Sequence, residues 1–230
     1  MSSQQRIKLF QLGGYAVGKT SIAERFFNNE FQQNYLTTVG IINYVKTIKI
    51  DDFIITIKMQ DTAGQERYNA IAKNSVKETD GLIFTFDMTS KESFEMISNL
   101  LINTNDVVNL ADKPLILMGN KIDKANSIVI TQKDVDDLIN KFKNYKISFF
   151  KTSAKTGENI NEAFATIIEQ ILDNNDIDIE KEKIQEVILN KVETSQPPKE
   201  EEEEEEDGTI GTKITRKRTL SKKEKKGCCS

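Results

Sequence analysis

The chain has 230 residues, of which 37% are apolar and 30% charged, with a net charge of −4, which predicts one core domain followed by a polar, unfolded portion. It has no histidine, and its only two cysteines are the adjacent Cys228 and Cys229, so Ser-His-Asp triads, histidine-ligated metals, zinc cages and disulfide frameworks are excluded. No apolar run reaches the ~18 residues of a membrane span. The opening MSSQQRIKLF lacks the apolar core of a signal peptide, so a reducing, cytosolic compartment is expected.

In chain order, Ile7 to Leu12 is a short apolar-rich run ending at Gly13-Gly14, the pattern of a buried strand. Thr20 to Asn28 has helical spacing, with Ile22, Phe26 and Phe27 on one side. Ile41 to Ile50 and Phe53 to Met59 flank Asp51-Asp52, which predicts a hairpin. Gly81 to Phe86 is a continuous apolar run, followed by Ser90 as N-cap of a helix through about Asn109. Pro114 to Met118 is another apolar run. Thr131 with Asp134 predicts a capped helix through about Phe142. Ile147 to Phe150 is the last strand. Glu158 to Leu172 is a helix with Ile160, Phe164, Ile167, Ile168 and Ile171 inward. Strands separated by helices predict an α/β fold. Its sheet would be six-stranded and mainly parallel, with one antiparallel strand and helices on both faces, and ligands would sit at the strands' carboxyl ends.

Composition shifts near residue 174, and the predicted boundary runs between a 1–173 domain and a flexible 174–230 tail. Residues 174–193 carry Ile177, Ile179, Ile184, Val187 and Ile188 among charges, consistent with a helix extension that Pro197-Pro198 stops. Glu200 to Asp207 is an unbroken acidic run, and Lys213 to Lys226 is a basic block. Such blocks repel themselves and stay unfolded.

Four fragments carry chemistry, each just after a strand. Gly13-Gly14-Tyr15-Ala16-Val17-Gly18-Lys19-Thr20 fits G-x-x-x-x-G-K-[ST]. Its backbone N–H groups would wrap a phosphate chain, with Lys19 on the outer phosphates and Thr20 on Mg²⁺. The plainer alternative, a Gly-rich turn with a solvated lysine, is weakened by the strand before and the helix after. Asp61-Thr62-Ala63-Gly64-Gln65 offers a carboxylate for Mg²⁺ through water, an N–H for the terminal phosphate at Gly64, and Gln65 to orient an attacking water. In Asn120-Lys121-Ile122-Asp123 the Asp123 carboxylate can accept both N1–H and the N2 amino group of guanine. Adenine would leave it unpaired, which disfavours an ATP-using protein. Lys121 would lie along the base, Asn120 would tie the loops, and Ser153-Ala154-Lys155 would close the pocket. Singly each fragment is an ordinary polar turn; together, in this order, they are specific.

With these motifs the sequence resembles the Ras-superfamily small GTPases, most of all their Rab branch, over about residues 6 to 173. DTAGQERY at 61–68, NKID at 120–123 and TSAK at 152–155 match the family's motifs nearly letter for letter. The resemblance implies a P-loop NTPase three-layer fold. It also implies a switch that binds GTP/GDP with Mg²⁺ and hydrolyses GTP slowly, with Lys19 and Gln65 as catalytic residues. Thr38 would join Thr20 and Asp61 as a metal ligand and sense the γ-phosphate. Phe31 would pack on guanine, and Ser21 and Tyr35 would complete the nucleotide contacts made by Gly13, Tyr15, Ala16, Val17 and Gly18. An exchange factor, a GTPase-activating protein and effectors are implied, with a G domain that is monomeric and binds no nucleic acid.

Three departures from the family pattern matter. Tyr15 stands where a small residue is usual, beside the γ-phosphate. There it would slow hydrolysis or, at the extreme, leave a GTP-bound membrane scaffold; its ring turned to solvent would change little. Asn43, Gln60 and Ser75 replace the exposed aromatic triad used for effectors, and Ile42 replaces the first-switch Asp, so typical Rab effectors are not expected to bind. Gly227-Cys228-Cys229-Ser230 is not a CaaX ending but resembles Rab double-cysteine endings, where Cys228 and Cys229 would each receive a lipid. That implies prenylation machinery, a prenyl-binding chaperone, and anchorage to the cytoplasmic face of an endomembrane or the plasma membrane, with a cytosolic pool. The basic block abutting the cysteines favours an anionic leaflet over nuclear import, and phosphorylation at Thr219 or Ser221 would weaken that attraction.

Overall fold

The computed structural model describes residues 3–32, 41–62 and 70–189. The chain divides into two units, Met1–Val192 and Glu193–Ser230, and every described residue belongs to the first. The elements are β1 (Ser3–Gly13), α1 (Lys19–Asn28), β2 (Ile41–Ile50), β3 (Phe53–Thr62), α2 (Ala70–Lys77), β4 (Gly81–Asp87), α3 (Lys91–Asn105), β5 (Leu115–Asn120), α4 (Gln132–Lys141), β6 (Ile147–Lys151), α5 (Ile160–Asn174) and α6 (Lys181–Leu189).

The six strands form one sheet in the order β2-β3-β1-β4-β5-β6. Only the β2–β3 pair is antiparallel, joined at Asp51-Asp52, where Asp51 takes a left-handed φ of 51° that a short polar side chain tolerates. The expected α/β sheet is therefore present. β4 and β5 are buried along their whole length, which is why they read as unbroken apolar runs rather than alternating ones. β1 is longer than its apolar stretch because Ser3 to Arg6 continue the ladder to Phe53–Thr56. The sheet order reverses between β1 and its neighbours β3 and β4, so the loop after β1 opens at the crevice where such sheets bind ligands.

Each face of the sheet carries its own apolar layer. One unites Ile7, Ile55 and Ile57 with Ile22 and Phe26 of α1 and Phe164, Ile167 and Ile168 of α5. Phe26 and Phe164 stack with centroids 3.8 Å apart. The other unites Phe84, Leu115 and Leu117 with Ile97 and Leu101 of α3 and Val135 and Leu138 of α4. The capping signals hold: Ser90 Oγ accepts from Ser93 N–H, and Thr131 with Asp134 forms a capping box. α3 ends at Asn105, short of the expected Asn109, and Leu110–Asp112 form a separate 3₁₀ turn. α2 lies in a stretch with no clear sequence pattern and was not anticipated.

The predicted tail boundary after residue 173 falls inside the packed structure. α6 lays Ile184 and Ile188 into the same apolar layer as α5, with Ile179 at the approach. Burying one such side chain contributes about 1.5–3 kcal/mol, and this packing adds to the helical bonds of a nine-residue helix that would be marginal alone. Polar ties flank the contact. Lys183 Nζ sits 2.9 Å from Asp51 of the β2–β3 turn, Lys181 pairs with Asp173 at 3.1 Å, and Gln185 Nε2 donates to Glu169 Oε1 at 3.1 Å.

Glu169 is nearly buried beneath α6. Burial raises its pKa above the ordinary glutamate value, against the hydrogen bond from Gln185 and the charge of Lys181. A carboxyl held higher in the folded than in the unfolded state contributes stability that is full below the unfolded pKa of 4.5 and lost as pH rises through the folded value. Glu169→Gln is therefore expected to raise the melting temperature by a few degrees at pH 7 and to change it little near pH 4. Thermal unfolding at the two pH values checks this.

Candidate functional site

The predicted phosphate loop joins β1 to α1. Its backbone alternates into left-handed conformations, with Ala16 at φ 55° and Gly18 at φ 100°, a pattern that turns successive N–H groups toward one concavity. A Cβ on Gly18 would lie 2.2 Å from Asn120 Nδ2, and one on Gly13 would lie 2.3 Å from the Thr85 carbonyl oxygen; both glycines are required by close approach. Gly18 is also the N-cap of α1 and offers no side-chain acceptor to the first turn, which suits that helix end to an external anion.

Lys19 is buried, 5% exposed, and its Nζ donates to the carbonyl oxygens of Gly13 at 3.1 Å and Gly14 at 2.9 Å. The ammonium is thus folded over the loop it would serve. Thr20 Oγ1 hydrogen-bonds Asp61 Oδ2, and Asp61 is fully buried at the end of β3. A hydroxyl and a buried carboxylate brought together from two elements are hard oxygen donors and fit Mg²⁺. Tyr15 is 57% exposed, its ring at the rim of the loop. Phe31 is half-buried against the α1–α5 layer. Ser21 follows Thr20 in the first turn of α1.

The fragments expected to read the base converge from the ends of β5 and β6. Asn120 is buried; its Nδ2 donates to Val17 O at 2.9 Å, and its Oδ1 accepts from Ala154 N–H at 3.1 Å. One amide thereby joins the phosphate loop to the 153–155 loop. Lys121 Nζ donates to Ala16 O at 2.7 Å and pairs with Asp87 Oδ2 at 2.8 Å. Ser153 Oγ donates to Asp123 Oδ1 at 2.7 Å and accepts from Thr156 N–H at 3.1 Å. Asp123 itself is exposed, with one carboxylate oxygen oriented by Ser153. Lys155 is exposed beside it.

Thr38, Tyr35, Gly64 and Gln65 lie outside the described residues, as do Cys228, Cys229, the acidic run and the basic block. Of the replaced triad, Asn43 is exposed, while Gln60 and Ser75 are half-buried. Asn43 and Gln60 are register partners across β2 and β3.

Two positioning residues escaped the sequence reading. Asp87, at the end of β4, accepts from Lys121 and from Thr89 at 2.7 and 2.8 Å. Burial pushes its carboxyl up, but the hydrogen bonds from Lys121 and Thr89 outweigh it and leave the pKa below the ordinary value. Arg25, on α1, donates through Nε to Ala154 O and through Nη2 to Lys155 O, each at 3.0 Å, while Nη1 donates to Asn29 O at 3.1 Å. Its planar fork fastens the 153–155 loop to the helix that starts at the phosphate loop. An arginine on a helix face carries no motif of its own, and the partners are backbone carbonyls more than a hundred residues away, so no spacing reveals them. Arg25→Met is expected to speed guanine nucleotide release about tenfold through loss of two charged hydrogen bonds, with Arg25→Lys intermediate. Dissociation of a fluorescent GDP, followed after adding excess unlabelled GDP, measures this.

The chain resembles known proteins over most of its length. The sequence profile described as Ras family matches residues 8–173. The chain is 30% identical to the Ras-related protein Rab-27B of Bos taurus over 192 residues, covering 79% of this chain and 87% of that protein. It is 34% identical over 165 residues to Rab-10 of Diplobatis ommata, covering 72% and 80%, and 33% identical over 165 residues to Rab-13 of Bos taurus, covering 72% and 79%.

Proposed function

Because the chain belongs to the Ras family, in its Rab branch, we propose that it is a lipid-anchored switch of membrane traffic whose turnover runs through the site at the carboxyl ends of β1, β3, β5 and β6. It is a small GTPase that binds GTP and GDP with Mg²⁺ and hydrolyses GTP. The observation that carries the site is the Asn120 amide, which locks the loop suited to phosphate against the loop suited to guanine.

The roles follow from the chemistry of each group. Lys19 Nζ would exchange the Gly13 and Gly14 carbonyls for the outer phosphates. Thr20, Asp61 and Thr38 would hold Mg²⁺, which when bound would supply positive charge to the phosphate oxygens. Gln65 would orient the attacking water, and Gly64 N–H would meet the terminal phosphate. The Asp123 carboxylate would accept from guanine N1–H and N2, with Ser153 holding its other oxygen. Phe31 and Lys121 would flank the base. Thr38 and Gly64, bound only while the γ-phosphate is present, would be the points at which the surface changes after hydrolysis. The exposure of the Tyr15 ring supports turnover over the rival reading of a GTP-bound scaffold.

Partners of the general kinds follow from the family: an exchange factor, an activating protein and effectors. With Asn43, Gln60 and Ser75 in place of an aromatic triad, the effectors are ones that do not rely on aromatic anchors at those positions. Two lipids on Cys228 and Cys229, aided by the basic block, would hold the protein on a cytosolic membrane face.

Single-turnover hydrolysis tests the site. The GTP-loaded full chain with Mg²⁺ is expected to form GDP on the order of 10⁻⁴ s⁻¹, the scale known for Ras, and Gln65→Leu is expected to slow this at least about tenfold. GTP that stays intact on the wild-type chain would favour the scaffold reading, and failure to load guanine nucleotide would overturn the site. The anchor is tested separately. Cys228→Ser/Cys229→Ser is expected to move the chain from the membrane fraction to the soluble fraction in cells, and an unchanged distribution counts against lipidation.

A further inference from the structure

The faces of β1, β2 and β3 turned away from α1 and α5 make a surface that nucleotide turnover does not use. Strand alternation places Lys49 beside Ile54, Thr47 beside Thr56 and Arg6, and Val45 beside Lys58 and Lys8. Thr47 and Thr56 hydroxyls approach to 3.4 Å, which fixes the shared face. Arg6, Lys8, Lys49 and Lys58 are all exposed, and Val45, on the outer strand β2 in the row of Lys58 and Lys8, is 56% exposed.

No acidic residue occupies this face between Asn43 and Lys49, Ile54 and Gln60, or Gln4 and Phe10. Lys8 pairs with Glu78 at 3.2 Å, while Arg6, Lys49 and Lys58 have no ion-pair partner among the described residues. In a chain of net charge −4, a sheet face whose strands contribute four cations and no anion, with only Lys8 paired among the described residues, is a local inversion. Like charges on neighbouring strands destabilise a sheet, so folding does not explain it.

We propose that this face is a docking surface for an acidic, extended polypeptide segment of a partner protein. Successive rows of the face are two residues apart, about 6.6–6.8 Å. Neighbouring strands lie about 4.7–4.9 Å apart, so Lys49 on β2, Lys58 on β3 and Arg6 and Lys8 on β1 spread over three rows and three strands, a patch that an extended segment with several carboxylates can cross obliquely. Val45 and Ile54 supply apolar contact, and the threonine hydroxyls can donate to peptide carbonyls. The face has no exposed aromatic side chain of the kind that seats proteins in a lipid interface, which favours a peptide over a bilayer.

The test is fluorescence anisotropy of a labelled nonapeptide with glutamate at alternate positions and threonine between, titrated with the full chain at low ionic strength. Arg6→Glu/Lys58→Glu is expected to weaken binding by about tenfold or more, since like charges are then juxtaposed. Lys133→Glu/Lys141→Glu, the same charge change on exposed α4, is expected to change it less than about twofold, because screening confines each effect to nearby charges. Unchanged GTP loading verifies that the variants fold, and Arg6→Gln/Lys58→Gln serves if the reversal does not. No binding by the wild-type chain, or equal losses in both pairs, overturns the proposal. So does a loss seen only with phosphatidylserine vesicles, which would make the face a lipid contact.

Discussion

Everything at the site hangs on one buried amide. Asn120 spends its donor on the Val17 carbonyl and its acceptor on the Ala154 N–H, and no other type of side chain of that length offers both. The contact requires Gly18 to lack a side chain, because the amide nitrogen already occupies that space. Lys121, Ser153 and Arg25 then add bonds between the same loops. The result is a set of loops from β1, β5 and β6 tied to one another by bonds within the chain. Ties of that kind lower the ordering cost of binding.

Much of the fold was legible because its signals are local. Continuous apolar runs mark β4 and β5, a dyad of aspartates marks the hairpin, and Thr131 with Asp134 marks the start of α4. The motif fragments stood out for a different reason, since the residue types expected to meet phosphate and guanine occur at set spacings, and the structure brings the 13–20, 120–123 and 153–155 fragments together. Arg25 and Asp87 were not legible, since their partners are remote backbone and side-chain atoms. The end of α3 was misjudged because Val107 and Val108 extend the apolar pattern past Asn105 while packing against the α3–α4 layer from a turn.

The tail boundary shows how composition can mislead. Residues 174–189 are rich in charge, the signature of an unfolded segment. Yet isoleucines at 184 and 188 share one helical face, and α5 with β2 offers them an apolar surface to cover. Lys183 and Lys181 are tied to Asp51 and Asp173, and the neutral Gln185 donates to Glu169. A count of charges sees repulsion; the pairing of those charges across elements is visible only in three dimensions.

The order in which the chain is made gives the placement of α5 and α6 a further meaning. The strands β1 and β3 are synthesised early, and the inner sides of Ile7, Leu9, Ile55 and Ile57 are closed over by Phe164, Ile167, Ile168 and Ile184, among the last folded residues to leave the ribosome. At about 5–20 residues per second, the interval between Met59 and Ile184 lasts from several seconds to nearly half a minute. Throughout it an apolar sheet face stands with only α1 to shield it. Slowed translation of the residues that lead into α5 and α6 would lengthen the period in which the nascent chain can aggregate.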